Sequence, residues 1–131
     1  MTTIRETMPQ EVAEGGSALI TGYFEDELGA YIALAGIGTV RLWLYNDATG
    51  LVINSKTNVD IKNANNGTVA EVVEAGVTRT KFTLRLLPAD NPIVDSTKRV
   101  ETHVAAVETT YNGGAGTVVK EVLFRVRSTL F

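Results

Sequence analysis

An apolar residue at every second position over short stretches is the feature that most limits how this chain can fold. The pattern occurs in residues 40–45, 80–86 and 122–126. A period of two places alternate side chains on opposite faces of a strand. We therefore predict three strands with one apolar face each. The predicted inward-facing residues are Val40, Leu42, Leu44, Phe82, Leu84, Leu86, Val122, Phe124 and Val126.

Turn signals separate these stretches from one another. Residues 46–50 (NDATG) predict a hairpin turn, residues 88–92 (PADNP) a corner or a one-turn helix, and residues 112–116 (NGGAG) the tip of a second hairpin. Weaker strand patterns lie at 17–24, 31–35, 51–53, 59–61, 69–73 and 100–111. Seven to nine short strands, with a turn about every 8 to 12 residues, predict an all-β antiparallel sandwich.

The 131 residues suit a single domain with a single core. Residues 1–16 are polar and end in Gly15-Gly16, so we predict an extended N-terminal arm or leader before a β-sandwich domain over residues 17–131. Two interpretations of the arm stay open: it is a frayed terminus, or it docks on a neighbouring subunit.

Several classes of protein do not fit the composition. The chain has no cysteine, which removes disulfides and thiolate metal sites. Its net charge of −3 and scattered basic residues argue against nucleic acid as a partner. No apolar run reaches the roughly 18 to 20 residues that a membrane-spanning helix needs, so we expect no membrane partner either.

The residues that could carry chemistry do not form a recognised active site. His103 and Glu101 share one face of a predicted strand, but a zinc site needs further ligands. No serine lies in a Gly-x-Ser-x-Gly elbow. The adjacent acids at 25–27 are typical of a solvated loop. We therefore predict no catalytic, cofactor-binding or metal-binding residue, no cofactor, and a protein that is not an enzyme.

Two loops resemble ion sites on first inspection. Residues 112–116 are glycine-rich, but a phosphate-binding loop acts through a following helix, and a strand is predicted to follow here. Asp60, Asn63, Asn65 and Asn66 offer oxygen ligands for calcium, although their spacing matches no EF-hand loop.

Aromatic residues are the best candidates for contact with a partner. Trp43 and Tyr45 lie on the strand face opposite the predicted core, where they could stack on a sugar, be buried at an interface or pack beneath a loop. Tyr111 is a further stacking candidate, and His103 is a candidate for a subunit contact. These four residues are the predicted partner or glycan contacts.

Five segments together resemble a group of small virion proteins of tailed phages and prophages that look immunoglobulin-like. The segments are 84–94 (LRLLPADNPIV), 101–105 (ETHVA), 110–114 (TYNGG), 42–50 (LWLYNDATG) and 52–54 (VIN). The resemblance extends over about residues 17–126. It carries over no catalytic residue, and the cysteine pair of antibody domains is absent.

The resemblance implies a bacteriophage structural protein with an immunoglobulin-like β-sandwich. We expect a capsid decoration or cement protein that binds other virion subunits, such as the major capsid protein. A neck, tail or baseplate adaptor is the first alternative, and a carbohydrate-binding module is the second. We further expect the protein to be assembled into the virion in the host cytoplasm. We also expect a homo-oligomer, with a trimer as one form, because decoration proteins on icosahedral shells resemble trimers.

Overall fold

The computed structural model describes residues 2–129, which form eight β-strands and three short 3-10 turns. The strands are β1 (Thr2–Ala13), β2 (Ala18–Tyr23), β3 (Ile37–Asn46), β4 (Val59–Asp60), β5 (Gly67–Glu74), β6 (Val77–Leu86), β7 (Val100–Tyr111) and β8 (Gly116–Arg127). The 3-10 turns are Leu34–Gly36, Pro88–Asp90 and Asn112–Gly114. Nothing in this part of the chain is a helix with the length and hydrophobicity to span a bilayer.

The strands form two sheets in a sandwich-like arrangement, which confirms the predicted all-β class. A five-stranded sheet has the order β1-β8-β7-β3-β4, and a three-stranded sheet has the order β2-β6-β5. Every neighbouring pair is antiparallel except β1 and β8, which run parallel. The eight described strands fall within the predicted seven to nine.

The core lies between the two sheets, where the predicted alternation places it. The predicted inward residues of β3, β6 and β8 are all buried, with exposed fractions of 4 % or less. Apolar side chains at other positions complete the core: Val12, Ile20, Phe24, Ile32, Ile37, Ile53, Ile61, Val69, Ala105, Val107, Tyr111 and Val118. Because the alternation assigned the faces correctly, the remaining side chains of these strands form the outer surfaces.

The three predicted turns after β3, β6 and β7 are all present, and at the predicted corner Pro88–Asp90 forms a single 3-10 turn. Residues 112–114 connect β7 to β8, which pair in continuous register from Val100 and Arg127 to Tyr111 and Gly116. The turn at 46–50 is closed by the Asn46 side chain, whose Oδ1 accepts hydrogen bonds from two backbone N–H groups. The predicted return strand at 51–53 is reduced to one bridge between Tyr45 and Val52.

The predicted strand at 31–35 is wrong. Tyr31 makes one isolated bridge to Glu25, and Leu34–Gly36 then forms a 3-10 turn. The apolar residues that suggested a strand are divided between core and surface, since Ile32 is buried while Leu34 is exposed. Local composition could not separate this compact crossover from a strand.

The described part of the segment predicted as an arm, residues 2–16, does not stand apart from the sheet. Thr2–Ala13 forms β1 along the edge of the five-stranded sheet, beside β8. The sequence of this segment is mostly polar because most of its side chains are exposed at that edge. Val12 is the buried apolar residue of β1. The placement of a domain boundary after residue 16 stays a prediction.

Candidate functional site

An apolar groove lies on the outer face of the five-stranded sheet. Its volume is about 390 Å³, and we call it the outer-sheet groove. It is lined by Trp43, Tyr45, Gly50, Val52, Ala106, Glu108 and Val119. These residues come from β3, β7, β8, the end of the 46–50 turn and the segment that follows it.

Strand register explains why a hollow forms here. Trp43 pairs across the sheet with Ala106, and Ala106 pairs in turn with Glu121. Side chains that are directly opposite on neighbouring strands are in contact distance, so a small alanine beside a large indole leaves space above the sheet. Ala106 therefore forms the floor of the groove.

Charged and polar side chains border the groove on the β1 side. The Tyr45 hydroxyl donates a 2.7 Å hydrogen bond to Glu121, and the Arg5 Nε lies 3.3 Å from the other oxygen of the same carboxylate. Burial, assisted by the hydrogen bond to Glu121 and by the negative charge of that carboxylate, raises the pKa of Tyr45 to about 12. Tyr45 is thus a fixed hydrogen-bond donor, with its ring facing the groove.

The structure brings together two of the four predicted contact residues. Trp43 and Tyr45 are partly exposed and line the same groove. His103 and Tyr111 lie on the inner face of β7 instead, with exposed fractions of 0 % and 4 %. Their prediction as surface contacts is corrected here, because a buried side chain offers no face to a partner or a sugar.

His103 belongs to a buried polar network. Its Nε2 lies 2.9 Å from Oε1 of Glu101, and its ring packs edge-on against Phe124. Glu101 also accepts backbone hydrogen bonds from Val94 and Asp95, at 2.8 Å and 2.6 Å. Glu101 and His103 both lie on β7, so it is the two backbone hydrogen bonds accepted by Glu101 that join this strand to the 94–95 loop.

Tyr111 has a packing role. Its hydroxyl donates a hydrogen bond to Glu27 in the acidic loop, which raises the pKa of Tyr111 above its ordinary value. A Cβ atom on Gly116 would approach the Tyr111 ring to 2.2 Å. A glycine is therefore required opposite this tyrosine at the start of β8.

The oxygen-rich loop before β5 uses its polar groups to fold the loop itself. Asp60 Oδ1 accepts a hydrogen bond from the Lys62 N–H, and Asn63 Oδ1 accepts one from the Val69 N–H. Asn65 donates its side-chain amide to the Asp60 carbonyl. In residues 2–129, no group of three or more His, Asp or Glu side chains is placed to hold a metal ion.

Sequence reasoning identified the aromatic side of the groove and missed its floor and far wall. Ala106 and Val119 carry no sequence signal of their own, because their role depends on which residues of β7 and β8 lie beside Trp43. Val52 was predicted as a strand residue and not as a surface contact, yet half of its surface is exposed at the mouth of the groove.

Comparison with known proteins gave no match, either among protein-family models or among curated proteins.

Proposed function

We propose that the protein is a non-enzymatic structural component of a bacteriophage particle that binds another virion subunit through the outer-sheet groove. A capsid decoration or cement protein is the specific role that we favour. The observation that carries the proposal is the groove itself, which has an apolar floor, a polar rim and a rigid sheet beneath it. Protein interfaces typically combine an apolar, aromatic centre with a polar rim.

The surroundings of the groove supply further contact area. Leu51 and Val52, beside its mouth, are 59 % and 51 % exposed. A stable interface buries about 800 Å² on each partner, so a bound subunit would cover this segment and the Glu121 rim in addition to the groove. The Trp43 indole would be the central contact, since tryptophan is enriched among residues that dominate binding energy.

The virion setting rests on the sequence resemblance described above. The sandwich-like arrangement of two sheets is compatible with an immunoglobulin-like domain, which remains part of this proposal. A role in assembly needs a rigid body with complementary surfaces and no reactive centre. Assembly as a homo-oligomer, with a trimer as the expected form, belongs to the same proposal and can be measured by light scattering.

Mass spectrometry of purified phage particles tests the proposal directly. We expect the polypeptide in particles produced from the genome that encodes it, and its absence would refute the virion assignment. Imaging with a labelled antibody then locates it: labelling on the head supports decoration, whereas labelling on the neck, tail or baseplate supports the adaptor alternative.

A binding assay with shells that lack the protein tests the groove. The variant Ala106→Leu fills the floor beside Trp43 and should weaken binding by about tenfold or more, as expected for a blocked interface centre. Thr83→Val, on the outer face of the opposite sheet, is the matched control and should bind like the original protein. Equal binding by all three proteins would exclude the groove as the contact.

A carbohydrate-binding module is the second candidate, favoured by the partly exposed Trp43 ring in a concave site. A glycan array probed with the protein and with Trp43→Ala separates the two candidates. A signal that Trp43→Ala abolishes would support sugar binding. The same signal from both proteins, or none from either, would remove this candidate.

A further inference from the structure

Strand β1 consists of two halves separated by a break in register. Residues 2–7 pair with 118–123 of β8, and residues 11–13 pair with 125–127. Between the pairs Thr7–Leu123 and Glu11–Arg125, β1 has three residues (8–10) where β8 has one (Phe124). β1 therefore has two extra residues there. Pro9 lies inside the break and has no N–H to donate.

The second half of β1 is fixed to its own chain. Val12 is buried, and Glu11 accepts two hydrogen bonds from the Arg127 guanidinium, at 3.1 Å and 3.0 Å. The backbone then continues this attachment, because the Glu14 N–H donates to the Arg127 carbonyl at 2.8 Å. Residues 11–14 therefore anchor the N-terminal segment to the sandwich.

The first half is held mainly by its backbone ladder. From Thr3 to Thr7, Ile4 is partly buried and the other side chains are exposed. Three ion pairs accompany the ladder: Arg5 with Glu121 and Glu6 with Lys120, each at 3.3 Å, and Arg5 with Asp47 at 3.9 Å. A segment with so little buried apolar surface opens more readily than the core strands.

The β8 edge, in contrast, needs a strand beside it. The Lys120 side chain is only 8 % exposed, and its Nζ donates to the Tyr23 carbonyl at 2.8 Å. Departure of residues 2–7 takes the Glu6 carboxylate away from this nearly buried ammonium and leaves the backbone groups of β8 unpaired. Both changes are unfavourable, so an equivalent strand should replace the one that leaves.

We propose that residues 2–7 exchange between copies of this chain, so that the N-terminal segment of one molecule occupies the β8 edge of a second. A second copy is the partner that fits, because it brings the same register and the same partners for Glu121 and Lys120. Exchange of an identical element keeps the native contacts and so needs little new binding energy. The break at residues 8–10 is the hinge. This inference is independent of what the outer-sheet groove binds.

Two single-cysteine proteins test the exchange, since the natural chain contains no cysteine. Thr3 and Val119 are partners across β1 and β8, and neighbouring strands are close enough for a disulfide between them. Thr3→Cys and Val119→Cys are mixed at high concentration, incubated reduced and then oxidised. A disulfide between position 3 of one chain and position 119 of the other is identified by mass spectrometry of the unreduced peptides.

Leu28→Cys mixed with Val119→Cys is the matched control for random collision, because Leu28 is 87 % exposed and lies in the loop after β2. We expect the cross-link from position 3 to exceed the one from position 28 by at least about tenfold, since docking raises the local concentration of the two thiols. Equal yields overturn the proposal.

The double variant Thr3→Cys/Val119→Cys provides a second test. Oxidation at low concentration should close the disulfide within one chain, and oxidation after incubation at high concentration should give covalent dimers or larger species on a denaturing gel. Closed monomers at every concentration overturn the exchange. Failure to form either link also overturns it, because β1 would then not lie along β8.

Discussion

The Nε2 atom of His103 lies 2.9 Å from Oε1 of Glu101 inside the sandwich, where both side chains are almost fully shielded from solvent. The same carboxylate accepts hydrogen bonds from the backbone N–H groups of Val94 and Asp95. Burial raises the pKa of Glu101, but the hydrogen bonds from His103 and from the two backbone groups outweigh burial and hold it below its ordinary value. The ionised carboxylate thus connects β7 to the loop before it.

Glu101→Gln should destabilise the fold at neutral pH by about 2 to 4 kcal/mol, because an amide cannot accept all three hydrogen bonds at a buried site. In the original protein, the lowered pKa of Glu101 means that its carboxylate stabilises the fold fully when the pH is above 4.5, the ordinary pKa of a glutamate. This contribution is lost as the pH falls through the lowered pKa of the folded state. Urea unfolding at neutral and acidic pH measures both effects.

Glu108→Gln, on the same strand but on the outer face, is the control and should unfold like the original protein at neutral pH. Unchanged urea midpoints for Glu101→Gln would contradict the stabilising role of the network.

Tyr45→Phe should reduce the loss of stability in alkali. Because the folded pKa of Tyr45 is raised to about 12 from an ordinary value of 10.0, the unfolded chain releases this proton first. Stability from this group is complete below pH 10 and falls as the pH rises toward 12. Denaturant unfolding measures the free energy of unfolding at pH 8 and at pH 11. The decrease between the two pH values should be smaller for the variant than for the original protein, and an identical decrease would contradict the raised pKa of Tyr45.

Asp90→Ala should cost about 2 to 3 kcal/mol, the usual effect of leaving buried donors unpaired. Asp90 is 2 % exposed and accepts hydrogen bonds from the Leu87 N–H at 2.8 Å and from the Asn54 side chain at 2.7 Å. Thermal unfolding gives the change. Asp47 is exposed, so the stability of Asp47→Ala should remain within about 0.5 kcal/mol of the original protein. A similar loss of stability in both variants would argue against a special role for Asp90 in the corner at residues 88–92.

Gly67→Ala should be strongly destabilising, by about 3 kcal/mol, which is typical of forced overpacking. A Cβ atom there would lie 2.2 Å from the backbone oxygen of Ile61, and a backbone atom cannot move aside as a side chain can. Gly76→Ala is the comparison, because a Cβ atom there would meet open space. This variant should lose only about 1 kcal/mol of stability, from placing an alanine at a φ of +78°. Circular dichroism melts should rank the two variants in this order.

The sequence predicted the core strands well, because a buried face imposes a period of two that is visible in β3, β6 and β8. It also placed Glu101 and His103 on one face correctly. It could not tell which face of β7 points inward, since that strand carries apolar residues on both sides, with Val104 and Ala105 both buried. This ambiguity is why His103 and Tyr111 were assigned to the surface.

Pairing between distant strands was the second limit. No local pattern shows that Ala106 lies beside Trp43, or that the polar segment 2–13 runs parallel to β8. An exposed edge strand needs few apolar residues, because one of its sides faces solvent. Its sequence therefore resembles that of a loop or an arm, and contacts made across more than a hundred residues decide its structure.

The parallel pairing of β1 with β8 also determines how the domain would respond to force. Residue 2 lies beside residue 118, and residue 13 beside residue 127, so tension applied at the start of β1 and the end of β8 pulls the two strands in opposite directions along their length. The ladder bonds would then share the load and yield together in shear, instead of separating one after another. A protein built this way would resist stretching along that axis far better than its modest N-terminal packing suggests.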